Sequence, residues 1–92
     1  MQADPNSKLI QDALVRYLIE NHPTTYTSET LPLDRSLVEL GVIDSYGVVE
    51  LVSFIETNWS IVVADDEITM ENMAGINRMT AFIERKLGNQ KS

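Results

Sequence analysis

Apolar residues recur at helical spacing over three stretches of this chain, and the breaks between them set its organisation. From residue 7 to about residue 21, Leu9, Ile10, Ala13, Leu14, Tyr17 and Leu18 fall on one helical face, with Asn6 or Ser7 placed to cap its start. His22-Pro23 ends this helix, because the residue before a proline avoids the helical region. A second helix is predicted from Asp44-Ser45 to about residue 59. Val48, Val49, Leu51, Val52, Ile55 and Trp59 supply its buried stripe, while Glu50, Ser53 and Glu56 face outward. Beyond Gly75, the residues Ile76, Met79, Phe82, Ile83 and Leu87 predict a last helix that Gly88 stops.

The segments between these helices are less regular. Across residues 22–43 the run of Thr24, Thr25, Thr27, Ser28, Thr30 and Pro32 denies a continuous helix. Yet Tyr26, Leu31, Leu33, Leu37, Leu40, Val42 and Ile43 are too apolar to remain solvated. A long loop pinned to the core is expected here, with a short helical turn around residues 36–40 ended by Gly41. Ile61-Val62-Val63 has strand propensity, but a lone strand has no partner, so it reads as an apolar linker. Asp65 and Asp66 are cap signals for a short helical stretch over about residues 67–73. The expected architecture is an all-α bundle of three main helices and one short helix, with a long loop between the first and second. Residues 7–88 form this domain, and residues 1–6, polar and containing Pro5, and 89–92 are expected to be flexible ends.

Ninety-two residues, 43% of them hydrophobic, suffice for one modest core and leave little room for an enclosed active site. That favours a binding or carrier module over an enzyme. The net charge of −7 is not spread evenly: residues 36–77 hold eight acids and no Lys or Arg, while the rest holds six acids and seven bases. Such a surface excludes nucleic acid and anionic membranes as partners and predicts a basic protein partner docking on that stretch. With no cysteine there is neither a disulfide framework nor a thiolate metal site. The opening Met1-Gln2-Ala3-Asp4-Pro5 lacks the features of a signal peptide, and no apolar run reaches membrane-spanning length. A soluble, monomeric, cytoplasmic protein is the expectation.

Candidate chemistry concentrates at Gly41-Val42-Ile43-Asp44-Ser45-Tyr46-Gly47. A helix starting at Asp44 or Ser45 presents unpaired N–H groups and a positive dipole end, which suits a phosphodiester on the Ser45 hydroxyl. The Asp44 carboxylate repels a phosphate; it makes sense as a cap, or as a contact for Mg²⁺ brought by an enzyme that transfers a phosphate-linked group. Taken alone, an Asp-Ser pair at a helix start is usually only a cap. Other chemistry finds no footing. A serine hydrolase elbow needs Gly two residues before the nucleophile, where this chain has Ile43. His22, at a helix end before proline, is poorly placed as a base. Asp65-Asp66-Glu67 lacks the alternating ligands and central Gly of a calcium loop. Met70, Met73 and Met79 read as core or pocket lining, and Trp59 as partly buried packing.

The stretch Leu37-Val38-Glu39-Leu40-Gly41-Val42-Ile43-Asp44-Ser45, followed by Val49-Glu50-Leu51-Val52 and Ile55-Glu56, resembles the acyl carrier family, and the resemblance extends from Leu33 to Leu87. It implies that Ser45, preceded by Asp44, accepts 4′-phosphopantetheine from a phosphopantetheinyl transferase and holds an acyl or aminoacyl group as a thioester. The missing cysteine then has an explanation, since the thiol comes with the cofactor. Implied partners are that transferase, an acyl- or aminoacyl-activating ligase, and a downstream acyltransferase or synthase. The chain itself would catalyse nothing. Tyr46-Gly47 after the serine departs from fatty-acid carriers and looks more like D-alanyl and stand-alone aminoacyl carriers. Tyr46 is expected either to face solvent beside the attachment point or to fold back on the loop. Gly47 either lets a partner or the arm approach the backbone or is a tolerated imperfection. The resemblance makes Tyr46, Gly47, Glu50, Ser53 and Glu56 the docking face, and Val48, Val52, Ile68 and Met73 pocket residues if cargo is sequestered. The alternative is an acidic helical interaction module without a cofactor.

Overall fold

The computed structural model describes residues 5–90, and within them it is all-helical. Helix α1 spans Pro5–Asn21, α2 Ser45–Trp59, α3 Met70–Met73 and α4 Ile76–Gln90, with a 3₁₀ turn at Asp65–Glu67 before α3. Three long helices and one short one are as the periodicity predicts, and Ile61-Val62-Val63 is not a strand. Helix α4 is the hub: α1 packs along it and α3 lies against it. Leu14 and Leu18 of α1, Leu51 and Ile55 of α2, and Ile76, Met79 and Ile83 of α4 are fully buried in one continuous core.

The loop between α1 and α2 is part of that core. Leu31, Leu37, Val42 and Ile43 are buried with the helical residues, as its apolar content demands. Some of its backbone polar groups are satisfied locally. Thr27 and Thr30 close a turn through Leu31 N–H donating to the Thr27 carbonyl at 3.0 Å, and residues 36–41 form a second turn. Gly41 ends this second turn with φ of +77°, a left-handed conformation that costs glycine nothing and most residues about 1 kcal/mol or more. Leu37 N–H then reaches the Ala74 carbonyl at 2.8 Å, stitching the loop to the far end of α3. Aromatic rings join α1 to α2: Tyr17 stacks on Phe54 at 4.3 Å, and Phe54 meets Trp59 edge-on at 5.8 Å.

Several expectations need correction. Helix α1 begins at Pro5, because proline at the first helical position loses no hydrogen bond and is preset in φ; residues 1–4 lie outside the described part. Gly88 does not stop α4, which runs on to Gln90 with Gly88 at a negative φ; residues 91–92 lie outside the described part. The cap of α3 is Thr69, whose hydroxyl accepts from Asn72 N–H at 3.2 Å, while Asp65 and Asp66 sit in the 3₁₀ turn instead. On α1, Leu9 is 66% exposed and Val15 takes the buried place. On α2, Val49 is exposed, because the stripe turns toward Gly47, Leu51, Val52 and Ile55. Glu56 does not face outward; it is half-buried and accepts from Val63 N–H at 2.8 Å.

Candidate functional site

Asp44 and Ser45 open α2 as the sequence leads one to expect. Asp44 is extended at φ −105° and ψ −173°, and its Oδ1 accepts from Gly47 N–H at 2.8 Å, while its carbonyl accepts from Val48 N–H at 3.1 Å. The cap reading of Asp44 is therefore realised. It still leaves the first-turn N–H groups of Ser45 and Tyr46 without intrahelical acceptors, at the positive end of a 15-residue helix. Ser45 is exposed, so its hydroxyl is reachable by a large reagent.

The neighbouring side chains divide into an outer and an inner set. Tyr46 is 70% exposed, so its ring faces solvent and does not fold back on the loop. Val49, Glu50 and Ser53 continue the same exposed face, following Tyr46 at helical spacings. Gly47 belongs to the inner set and is buried, which removes it from any docking face. A Cβ there would lie 2.9 Å from Ile43 Cβ and 3.3 Å from His22 Cε1. Glycine is thus required by close packing of the α2 start onto the loop, and partner approach is not its reason. His22 fills that place beside Tyr17, with which it makes an edge contact at 5.9 Å, and its ring is committed to packing there.

One turn past Ser45, Val48 lines an apolar groove of about 310 Å³. Ile68, Met70, Met73, Val38 and Ala74 line it as well, with Glu39 and Ser36. Of the four pocket residues suggested by sequence, Val48, Ile68 and Met73 line the groove, while Val52 is buried in the core instead. Met70, read from the sequence as core or pocket lining, does line the groove; Val38 went unrecognised there, and Val49, placed in the buried stripe, is exposed.

Most acidic residues of the segment without Lys or Arg are at the surface. Glu39, Asp44, Glu50, Asp65, Asp66 and Glu71 are all exposed. Glu56 and Glu67 are the exceptions: Glu56 is half-buried under Val63 N–H, and Glu67 is tied to Lys86. Its carboxyl is held below the ordinary glutamate range, first by the Ala64 N–H it accepts and next by the Lys86 ammonium. Among the described residues no group of His, Asp and Glu side chains is arranged to hold a metal, and no helix is long and apolar enough to cross a membrane. Compared with models of known protein families and with curated proteins, the chain matches none.

Proposed function

We propose that this protein is a stand-alone acyl carrier, with Ser45 as the attachment point of 4′-phosphopantetheine and the thiol of that arm as the group that takes up the activated acyl chain to form a thioester. The observation that carries the reading is an exposed serine at the first turn of a long helix, one turn from an apolar groove, in a chain that has no thiol of its own. Three long helices, one short helix and a core-packed loop between the first two support an acyl-carrier-like arrangement. The residues present fit the group: the hydroxyl is accessible and the helix start favours a phosphodiester. When bound, the arm would supply the nucleophilic thiol. The chain's part is to present Ser45, to offer Tyr46, Val49, Glu50 and Ser53 as a docking face, and to shelter an apolar cargo against Val48 and Met73.

On this reading a phosphopantetheinyl transferase, an activating ligase and a downstream acyltransferase or synthase use the acidic surface in turn. The groove lining favours an apolar acyl group over a charged aminoacyl one, since among the described residues lining it Val38, Val48, Ile68, Met70, Met73 and Ala74 are apolar and Glu39 alone is ionisable. A second reading, an acidic interaction module without cofactor, draws on the Asp44 cap, which accounts for the Asp-Ser pair without any chemistry. Thiol titration separates the two. Native protein contains no cysteine, so incubation with a promiscuous transferase and coenzyme A is expected to create one titratable thiol per chain. Ser45→Ala is expected to gain none. Absence of a thiol in the wild type would favour the interaction module.

A further inference from the structure

Along α1, Lys8, Asp12, Arg16 and Glu20 follow one another four residues apart, so they form a stripe of about 18 Å whose charge alternates in sign. All four are exposed, on the side of the helix opposite the buried Leu14 and Leu18. Leu9, 66% exposed, lies beside the stripe, as does the half-buried Ile19. A groove of about 510 Å³ borders it, lined by the four charged residues and, among others, Val15 and Ile19.

Contacts within the chain do not use up this stripe. Lys8 Nζ lies 3.4 Å from Asp12 Oδ1, and with the two side chains 73% and 55% exposed the pair is weak. Arg16 and Glu20 form no ion pair among the described residues. The order of the signs is symmetric. Lys8 and Glu20 are equally far from Leu14, and so are Asp12 and Arg16, with opposite charges in each case. Leu9 and Ile19, both apolar, are related in the same way. A second α1 laid antiparallel about the level of Leu14 would therefore set Lys8 against the partner's Glu20 and Asp12 against the partner's Arg16. A parallel copy, or an antiparallel one slipped by a turn in either direction, would set like charges together.

We propose that the chain forms a two-fold dimer through α1, its partner being a second copy of itself laid antiparallel on the Lys8–Glu20 stripe. This replaces the monomer expected from the sequence. In a two-fold interface every contact occurs twice, so one self-complementary face supplies four ion pairs. Leu9 is covered in the same step, at the level of the partner's Ile19. Exposed ion pairs and one helix from each chain make a small interface, and the dimer is weak and reversible, with a dissociation constant on the order of 100 μM. Ser45 and Tyr46 belong to α2 and take no part. The dimer does not rest on the carrier reading, and the two fail in different experiments.

Sedimentation equilibrium of the full chain at low salt tests it. Between about 10 μM and about 1 mM the wild type is expected to rise from 10.4 kDa toward twice that mass. Asp12→Lys alone and Arg16→Glu alone each put like charges across both halves of the interface, and each is expected to keep the single-chain mass. Mixed in equal amounts, the two variants are expected to associate again, because the introduced lysine meets the introduced glutamate while Arg16 of one chain meets Asp12 of the other. Ion pairing within a single helix predicts no such rescue. Lys8→Glu with Glu20→Lys repeats the exchange at the ends of the stripe, so the test does not depend on one pair of variants folding. A wild type that keeps the single-chain mass at about 1 mM would overturn the dimer. So would single variants that associate as the wild type does, or mixtures of both pairs that fail to associate.

Discussion

Gly47 is where two demands on one residue conflict. Helix propensity favours alanine there by up to about 1 kcal/mol. Packing opposes it, because the new methyl would meet Ile43 Cβ at 2.9 Å, and a β-carbon cannot swing aside. Packing is expected to win: Gly47→Ala should lower stability by about 1–2 kcal/mol in chemical denaturation, where an open position would give a gain. This role was not legible in the sequence, since Ile43 and His22 reach Gly47 only once the loop has folded. Asp44 poses a different question, whether its carboxylate does more than cap. Asn caps as well as Asp, so Asp44→Asn should leave stability within a few tenths of a kcal/mol, while Asp44→Ala should lose about 1 kcal/mol. If the charge serves cofactor transfer, modification of Asp44→Asn by the transferase should slow although its melting curve is unchanged. Modification at the wild-type rate would reduce Asp44 to a cap.

Among the elements, α2 was the most legible, because an Asp cap, a first-turn serine and a wide apolar stripe agree. The edges of the stripes were not. Leu9 and Val15 lie at opposite margins of the α1 face, and only the position of α4 decides that Val15 goes in and Leu9 stays out. Val49 failed for the same reason, sitting at the margin of a stripe centred on Leu51 and Ile55. The ends of helices misled because Pro5 and Gly88 are read as breakers, though a first-turn proline and a glycine near a C-terminus are both compatible with helix. Gly88 has open space around it and a negative φ. Gly88→Ala should therefore raise stability by a few tenths to about 1 kcal/mol, measured as an increase in Tm. A glycine ending the helix in the left-handed conformation would give a loss instead. The groove was largely legible: Val48, Ile68, Met70 and Met73 were within reach, but Val38 is brought to it by a turn that carries no apolar period.

On the scale of the whole molecule, charge was fully legible in the sequence, because a segment without Lys or Arg stays acidic however it folds. Folding adds its placement: Glu50 and Asp44 border the exposed start of α2, while the bases Arg78, Arg85 and Lys86 of α4 bond to Glu71, Asn72 and Glu67. Association with a basic transferase should accordingly slow as salt rises beyond about 0.1 M, and Glu50→Lys should slow modification of Ser45 without a change in Tm. A rate indifferent to salt and to Glu50→Lys would remove the acidic face from recognition. The central claim concerns Ser45 itself, and fragment mass spectrometry after coexpression with a phosphopantetheinyl transferase addresses it most directly. The expected result is one phosphopantetheine per chain, borne by the fragment containing Asp44-Ser45-Tyr46 and lost in Ser45→Ala. An unmodified chain, or a modification that persists in Ser45→Ala, would contradict it.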